Sequence, residues 1–70
     1  MLVQSIPVKT LPYAFVNEGV REAKIGELWV TIESVEVFKD RLIINDGTAT
    51  FRLWYVSPGL GGAMKEVVVR

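Results

Sequence analysis

The sequence contains no cysteine and no histidine. Without cysteine there are no disulfides, zinc ribbons or thiol nucleophiles; without histidine the commonest general base and metal ligand is missing. Neither sign of charge is in excess: eight Lys and Arg residues balance eight Asp and Glu residues, for a formal net charge of zero. A strongly cationic nucleic-acid protein is therefore excluded, although a charged face is not. No apolar run approaches the roughly 20 residues a membrane helix needs. Met1 is followed by no basic-then-apolar leader with a small-residue cleavage site, so neither membrane anchorage nor export is expected and the expected location is cytoplasmic. Length is also in short supply. Seventy residues allow a single domain, 1–70, of a size that buries only about 60% of the surface its unfolded chain exposes. Half of those residues are apolar, which argues against disorder.

What is present is a run of strand signals. Leu2 to Leu11 mixes Val3, Ile6, Val8 and Leu11 with polar residues; Pro7 and Pro12 each remove a backbone donor, so any strand here is short or lies at an edge. Tyr13 to Lys24 is the one candidate for a helix or turn, with a break at Asn17-Glu18-Gly19. From Ile25 the pattern sharpens. Leu28, Val30 and Ile32 alternate with Trp29, Thr31 and Glu33, the period of a half-buried strand. Val35 and Val37 then continue the apolar set on odd positions. That one-residue slip near Glu33-Ser34 predicts a β-bulge bending a long strand so that it can serve two sheets. Lys39-Asp40 reads as a tight turn, and Arg41 to Asn45 as a strand with Leu42 and Ile44 opposite Ile43. Asp46-Gly47 is a strong hairpin signal. Thr48 to Val56 alternates again, with Ala49, Phe51, Leu53 and Tyr55 on one face and Thr50, Arg52 and Trp54 on the other. The result is a three-stranded meander over residues 25–56. Ser57-Pro58-Gly59-Leu60-Gly61-Gly62 reads as an exposed connector, lacking the spacing of a phosphate-binding glycine loop. Lys65 to Val69 is β-branched and reads as a further strand with an exposed edge.

The stretch IGELWVTIESVEVFKDRLIINDGTATFRLWY resembles the first three strands of the OB-fold nucleic-acid-binding family, in particular replication protein A-type single-stranded DNA-binding domains. The shared features are Gly26-Glu27 opening a long bent strand, the short turn at Lys39-Asp40, and an apolar second strand ending in Asn45-Asp46-Gly47-Thr48 before an alternating third. The chain departs from that family in offering a Gly-rich loop where a helix usually lies between strands three and four, and in showing no strand after Val69. The resemblance implies an all-β fold, a small Greek-key barrel of five-strand type. Its fifth strand would come from Leu2 to Leu11, from another subunit or from residues beyond these. A similar meander occurs in SH3-like barrels, over which the long bent strand favours the OB-like form.

The resemblance also implies a binding surface on strands two and three, where aromatic rings stack on bases and basic groups follow phosphates. By alternation that face carries Arg41, Ile43, Thr50, Arg52 and Trp54, with Lys39 in the rim turn and Trp29 and Thr31 of the first strand beside them. The expected partner is single-stranded DNA or RNA, in a replication or repair setting. Each residue has a plainer explanation as well. Trp54 also suits packing under a loop or an oligomer contact, since interfaces enrich aromatics and Arg, and Trp29 suits a structural role beneath the N-terminal segment. Lys39 suits a solvated turn, and Asp46 suits turn chemistry. Arg41 and Arg52, neighbours on adjacent strands, call for an anion between them, either phosphate or Glu33 or Glu36. The competing expectation is an interaction subunit that binds a protein or a second copy through the edge strand Lys65 to Val69. With no His, no Cys and no cluster of acidic ligands, neither catalysis nor a cofactor or metal is expected.

Overall fold

A computed structural model describes residues 3–56 and 63–70, so the connector expected at residues 57–62 lies outside the described residues. The described chain is mostly β, with two antiparallel sheets and one short helix. The first sheet has four strands in the order β1-β7-β2-β3: β1 (Gln4–Pro7), β7 (Glu66–Val69), β2 (Glu22–Ile25) and β3 (Leu28–Thr31). The second has three, β4 (Ser34–Val37), β5 (Arg41–Asn45) and β6 (Thr50–Trp54), in chain order. A 3-10 turn at Val8–Thr10 leads into helix α1 (Leu11–Asn17).

Local chemistry explains most of these boundaries. Pro12 sits in the first turn of α1, where a missing N–H costs nothing. The helix stops at the expected Asn17-Glu18-Gly19 break: Gly19, at φ +74°, turns the chain so that the Val20 amide donates to the Ala14 carbonyl (3.2 Å). The guanidinium of Arg21 donates to the Phe15 carbonyl (2.8 Å) and lies over the Phe15 ring, closing the helix C-terminus. Gly26, at φ +63°, takes the first central position of the two-residue turn joining β2 to β3.

The predicted bend between Leu28 and Val37 is a change of sheet. The Ile32 amide donates to the Arg21 carbonyl beside β2 (2.8 Å), and the next amide, Glu33, donates to the Asn45 carbonyl at the end of β5 (2.7 Å). Two successive donors thus bond to different sheets, and the slip in apolar phase marks that corner, as it does where packed sheets share a strand. The inner faces of both sheets then meet in one core: Val30, Ile32, Val67, Val69 and Ala23 from one side, Leu42, Ile44 and Leu53 from the other, closed by Val8, Leu11, Ala14 and Val20. Phe51 and Tyr55 pack against it, so the inward face of β6 is as expected.

Two expectations are corrected by the strand order. β7 is not an exposed edge: it lies between β1 and β2, with Gln4 opposite Val69 on one side and Ala23 opposite Val69 on the other. The strand expected at Lys65 to Val69 is therefore an interior one, paired with β1 from Glu66 to Val69 and with β2 at Val68 and Val69. Nor is the bent ribbon the first strand of its sheet. β2, most of which fell within the Tyr13 to Lys24 candidate for a helix or turn, precedes it and pairs with β3 from Glu22 opposite Thr31 to Ile25 opposite Leu28. The N-terminal segment does supply a short edge strand, β1, which ends at Pro7. No helix among the described residues is long and apolar enough to cross a membrane.

Candidate nucleic-acid interface

The register of β4, β5 and β6 sets out the outward face of the second sheet in cross-strand rows. Ser34, Asn45 and Thr50 form one row, and Glu36, Ile43 and Arg52 the next. The third pairs Arg41 with Trp54, and Phe38, whose amide donates to the Arg41 carbonyl (2.8 Å), extends it beyond β4. Five of the expected residues, Arg41, Ile43, Thr50, Arg52 and Trp54, therefore share one surface, with exposed Lys39 in the turn at its rim.

Arg41 is held in place. Its guanidinium carbon lies 4.6 Å from the centre of the Phe38 ring and 5.1 Å from that of Trp54, and Nη1 donates to Asp40 Oδ1 at 2.8 Å. Each cation–ring contact contributes about 0.5–1 kcal/mol at an exposed site, and the surface ion pair at most about 1 kcal/mol. The three planar groups stand side by side in one row, with Phe38 exposed and Trp54 half-exposed. Trp54 is half-buried, neither sealed in the core nor free. Asp40 pairs with Arg41, and among the described residues neither Glu33 nor Glu36, the glutamates expected between Arg41 and Arg52, pairs with either. Glu36 shares the face without pairing with Arg52, which makes no ion pair among the described residues. The carboxylate of Glu33 rests instead against Gly47, where an added Cβ would collide with it.

Trp29 does not join this surface. It sits on β3, in the other sheet, half-buried opposite Lys24, and the Arg70 guanidinium covers its ring at 3.8 Å from the centre while pairing with Glu22 (3.0 Å). Trp29 is occupied structurally, and its cover is the residue after β7 where the N-terminal segment was expected.

The rim is built by two side chains. The hydroxyl of Tyr55 donates to the carbonyls of Arg41 (2.9 Å) and Phe38, tying the end of β6 under the β4–β5 turn. At the opposite end Asp46 Oδ1 accepts from the amides of Ala49 (2.7 Å) and Thr48 (2.8 Å), the turn chemistry expected of it. These backbone donors, Ala49 foremost, hold the Asp46 carboxyl below the ordinary carboxylate range. Because the folded-state pKa is depressed, the stabilisation is complete above the unfolded-state value, falls as pH drops toward the folded-state value, and is gone below both. In Asp46→Asn, whose amide oxygen still accepts both bonds without titrating, the acid side of a plot of melting temperature against pH is expected to flatten. The gap between the two proteins narrows as pH falls; parallel curves would remove Asp46 as a source of acid sensitivity.

Phe38 and Asp40 escaped sequence reasoning. Phe38 was legible, since it continues the Ser34-Glu36 alternation; Asp40 was taken up in the turn. Among the described residues no group of three or more acidic side chains is placed to hold a metal ion. Compared with known proteins, the chain matches no family model, no curated protein and no solved structure.

Proposed function

We propose that this protein binds single-stranded nucleic acid on the outward face of β4, β5 and β6, and that it binds without catalysis. The observation that carries the reading is the row in which Arg41 lies between Phe38 and Trp54, beside exposed Thr50 and Arg52, which has no ion pair among the described residues. Bases stack on such rings regardless of sequence, and cations follow the backbone. A cytoplasmic setting goes with this reading, and replication or repair is where single strands are exposed. For the architecture we infer a small barrel. β2, the β3–β4 ribbon, β5 and β6 succeed one another and β7 returns beside β2. That order supports the SH3-like form over the OB-like one, because the bent ribbon is second in the meander.

The test is a titration of fluorescein-labelled oligo-dT at low and high salt. Binding is expected to weaken as salt rises, with Arg52→Ala weaker than wild type and less salt-dependent by about 0.7 in the logarithmic slope, one phosphate contact. Absence of binding at tens of micromolar would refute the reading. A second reading, a protein-binding or self-associating module, is favoured by exposed Val37, Phe38 and Val56, which gather at the β4–β5 turn, where the Val56 amide donates to the Asp40 carbonyl (3.2 Å). A dimer on sizing with no oligonucleotide binding would support it.

A further inference from the structure

Tyr55, on the inward side of β6, organises a second feature at the same end of the molecule. Its ring and Pro7 line a shallow, mainly apolar notch whose other lining residues are Lys9 and Lys65. Lys9 Nζ lies 5.3 Å from the centre of the Tyr55 ring. The Val8 amide donates to the Lys65 carbonyl (3.0 Å), binding the two lysine-bearing segments together, and the Met64 amide donates to the Trp54 carbonyl (2.7 Å), fastening the notch to the end of β6. The Tyr55 hydroxyl reaches the carbonyls that flank Lys39 and Asp40. Lys9, Lys65 and Lys39 are thus carried by one connected piece of backbone and ring, and all three are exposed.

Among the described residues no carboxylate offsets the charges there. No carboxylate lines the notch, and among the described residues neither Lys9 nor Lys65 makes an ion pair. The adjacent acid, Glu66, accepts from Ser5 Oγ (2.8 Å), on the outward face of the first sheet, and Asp40 is taken by Arg41. Like charges held together by the fold favour an anion between them. An apolar floor lowers the local dielectric and strengthens that attraction.

We propose that the notch of Pro7, Lys9, Tyr55 and Lys65 is a phosphate site, taking a phosphodiester of the strand whose bases stack at Trp54. The second half of this proposal rests on the reading given above; the first does not. Trp54, on the stacking face, and Tyr55, in the notch, are consecutive residues at the end of β6, so the two surfaces adjoin.

The test uses the full chain and Lys9→Gln/Lys65→Gln, which removes both charges and leaves a shorter polar side chain at each position, with an unchanged circular dichroism spectrum as the check on folding. In the oligo-dT titration the logarithmic salt slope of the double variant is expected to be shallower than wild type by about 0.7, for the one phosphodiester the notch takes. Lys24→Gln, on the outward face of the first sheet, is expected to keep the wild-type slope. Separately, inorganic pyrophosphate titrated into 15N-labelled wild type is expected to shift the amides of Lys9, Tyr55 and Lys65, and not those of the double variant. An unchanged slope in the double variant, or no shift at those amides in wild type, overturns the site. If wild type fails to bind oligo-dT while pyrophosphate still shifts these amides, the single-strand reading falls and the phosphate site stands.

Discussion

Leu42→Ala is expected to remove about half of the stability of this protein. Leu42 is fully buried on β5, opposite Leu53 on one side and Val37 on the other, at the centre of a core to which both sheets contribute. Truncating such a leucine costs about 2–5 kcal/mol, from lost transfer free energy and from the cavity that remains. Against this stands a total of roughly 4–10 kcal/mol for a chain of 70 residues. No disulfide is available to offset the loss, since the chain has no cysteine. Urea denaturation followed by tryptophan fluorescence should show the midpoint falling by about half, the ratio of the two ranges taken end to end, with an unchanged slope. Leu42→Met, which conserves volume, should lose less than about 1.5 kcal/mol. A loss below about 1 kcal/mol for the alanine variant would mean that the two sheets do not share one core.

The second sheet was legible in the sequence because its determinants are local. Leu42 and Ile44 alternate with Ile43, Leu53 with Arg52 and Trp54, and Asp46-Gly47 supplies both a side-chain acceptor and a φ of +99°. β2 was illegible for the opposite reason. Glu-Ala-Lys-Ile offers only Ala23 as a fully buried side chain, and it is a strand through its pairing with β3 and β7, a non-local fact. β7 was readable as a strand from its three valines, but no pattern within it says that it has a neighbour on each side. The change of sheet at Ile32-Glu33 has the sequence signature of a bulge; only the partners of the two amides distinguish them. That ambiguity explains the misplacement of Trp29. Alternation assigned it to an outward face, but the corner lies between Trp29 and the face that holds Trp54.

Trp54→Ala is expected to weaken oligo-dT binding by about 5- to 150-fold. One base stacked on an aromatic ring is worth roughly 1–3 kcal/mol, and tenfold in affinity corresponds to about 1.4 kcal/mol. Loss of the indole acts twice here, because it also removes one wall of the Phe38–Arg41–Trp54 row and leaves the Arg41 guanidinium held only by Phe38 and Asp40. Two further variants separate these effects. Trp54→Phe keeps a ring for the base and for Arg41, and should recover most of the affinity. Arg41→Lys keeps the charge but gives up the flat guanidinium that fits between two rings; its affinity should fall while its salt slope stays at the wild-type value, since the number of cations is unchanged. If Trp54→Ala binds as wild type does, the platform is not the stacking surface. If it instead converts a dimer to a monomer, the half-buried ring belongs to a protein interface, where truncating a central Trp is among the costliest single changes. The two readings thus make opposite predictions about one side chain: an oligonucleotide titration moves in the first case, and the sedimentation coefficient in the second.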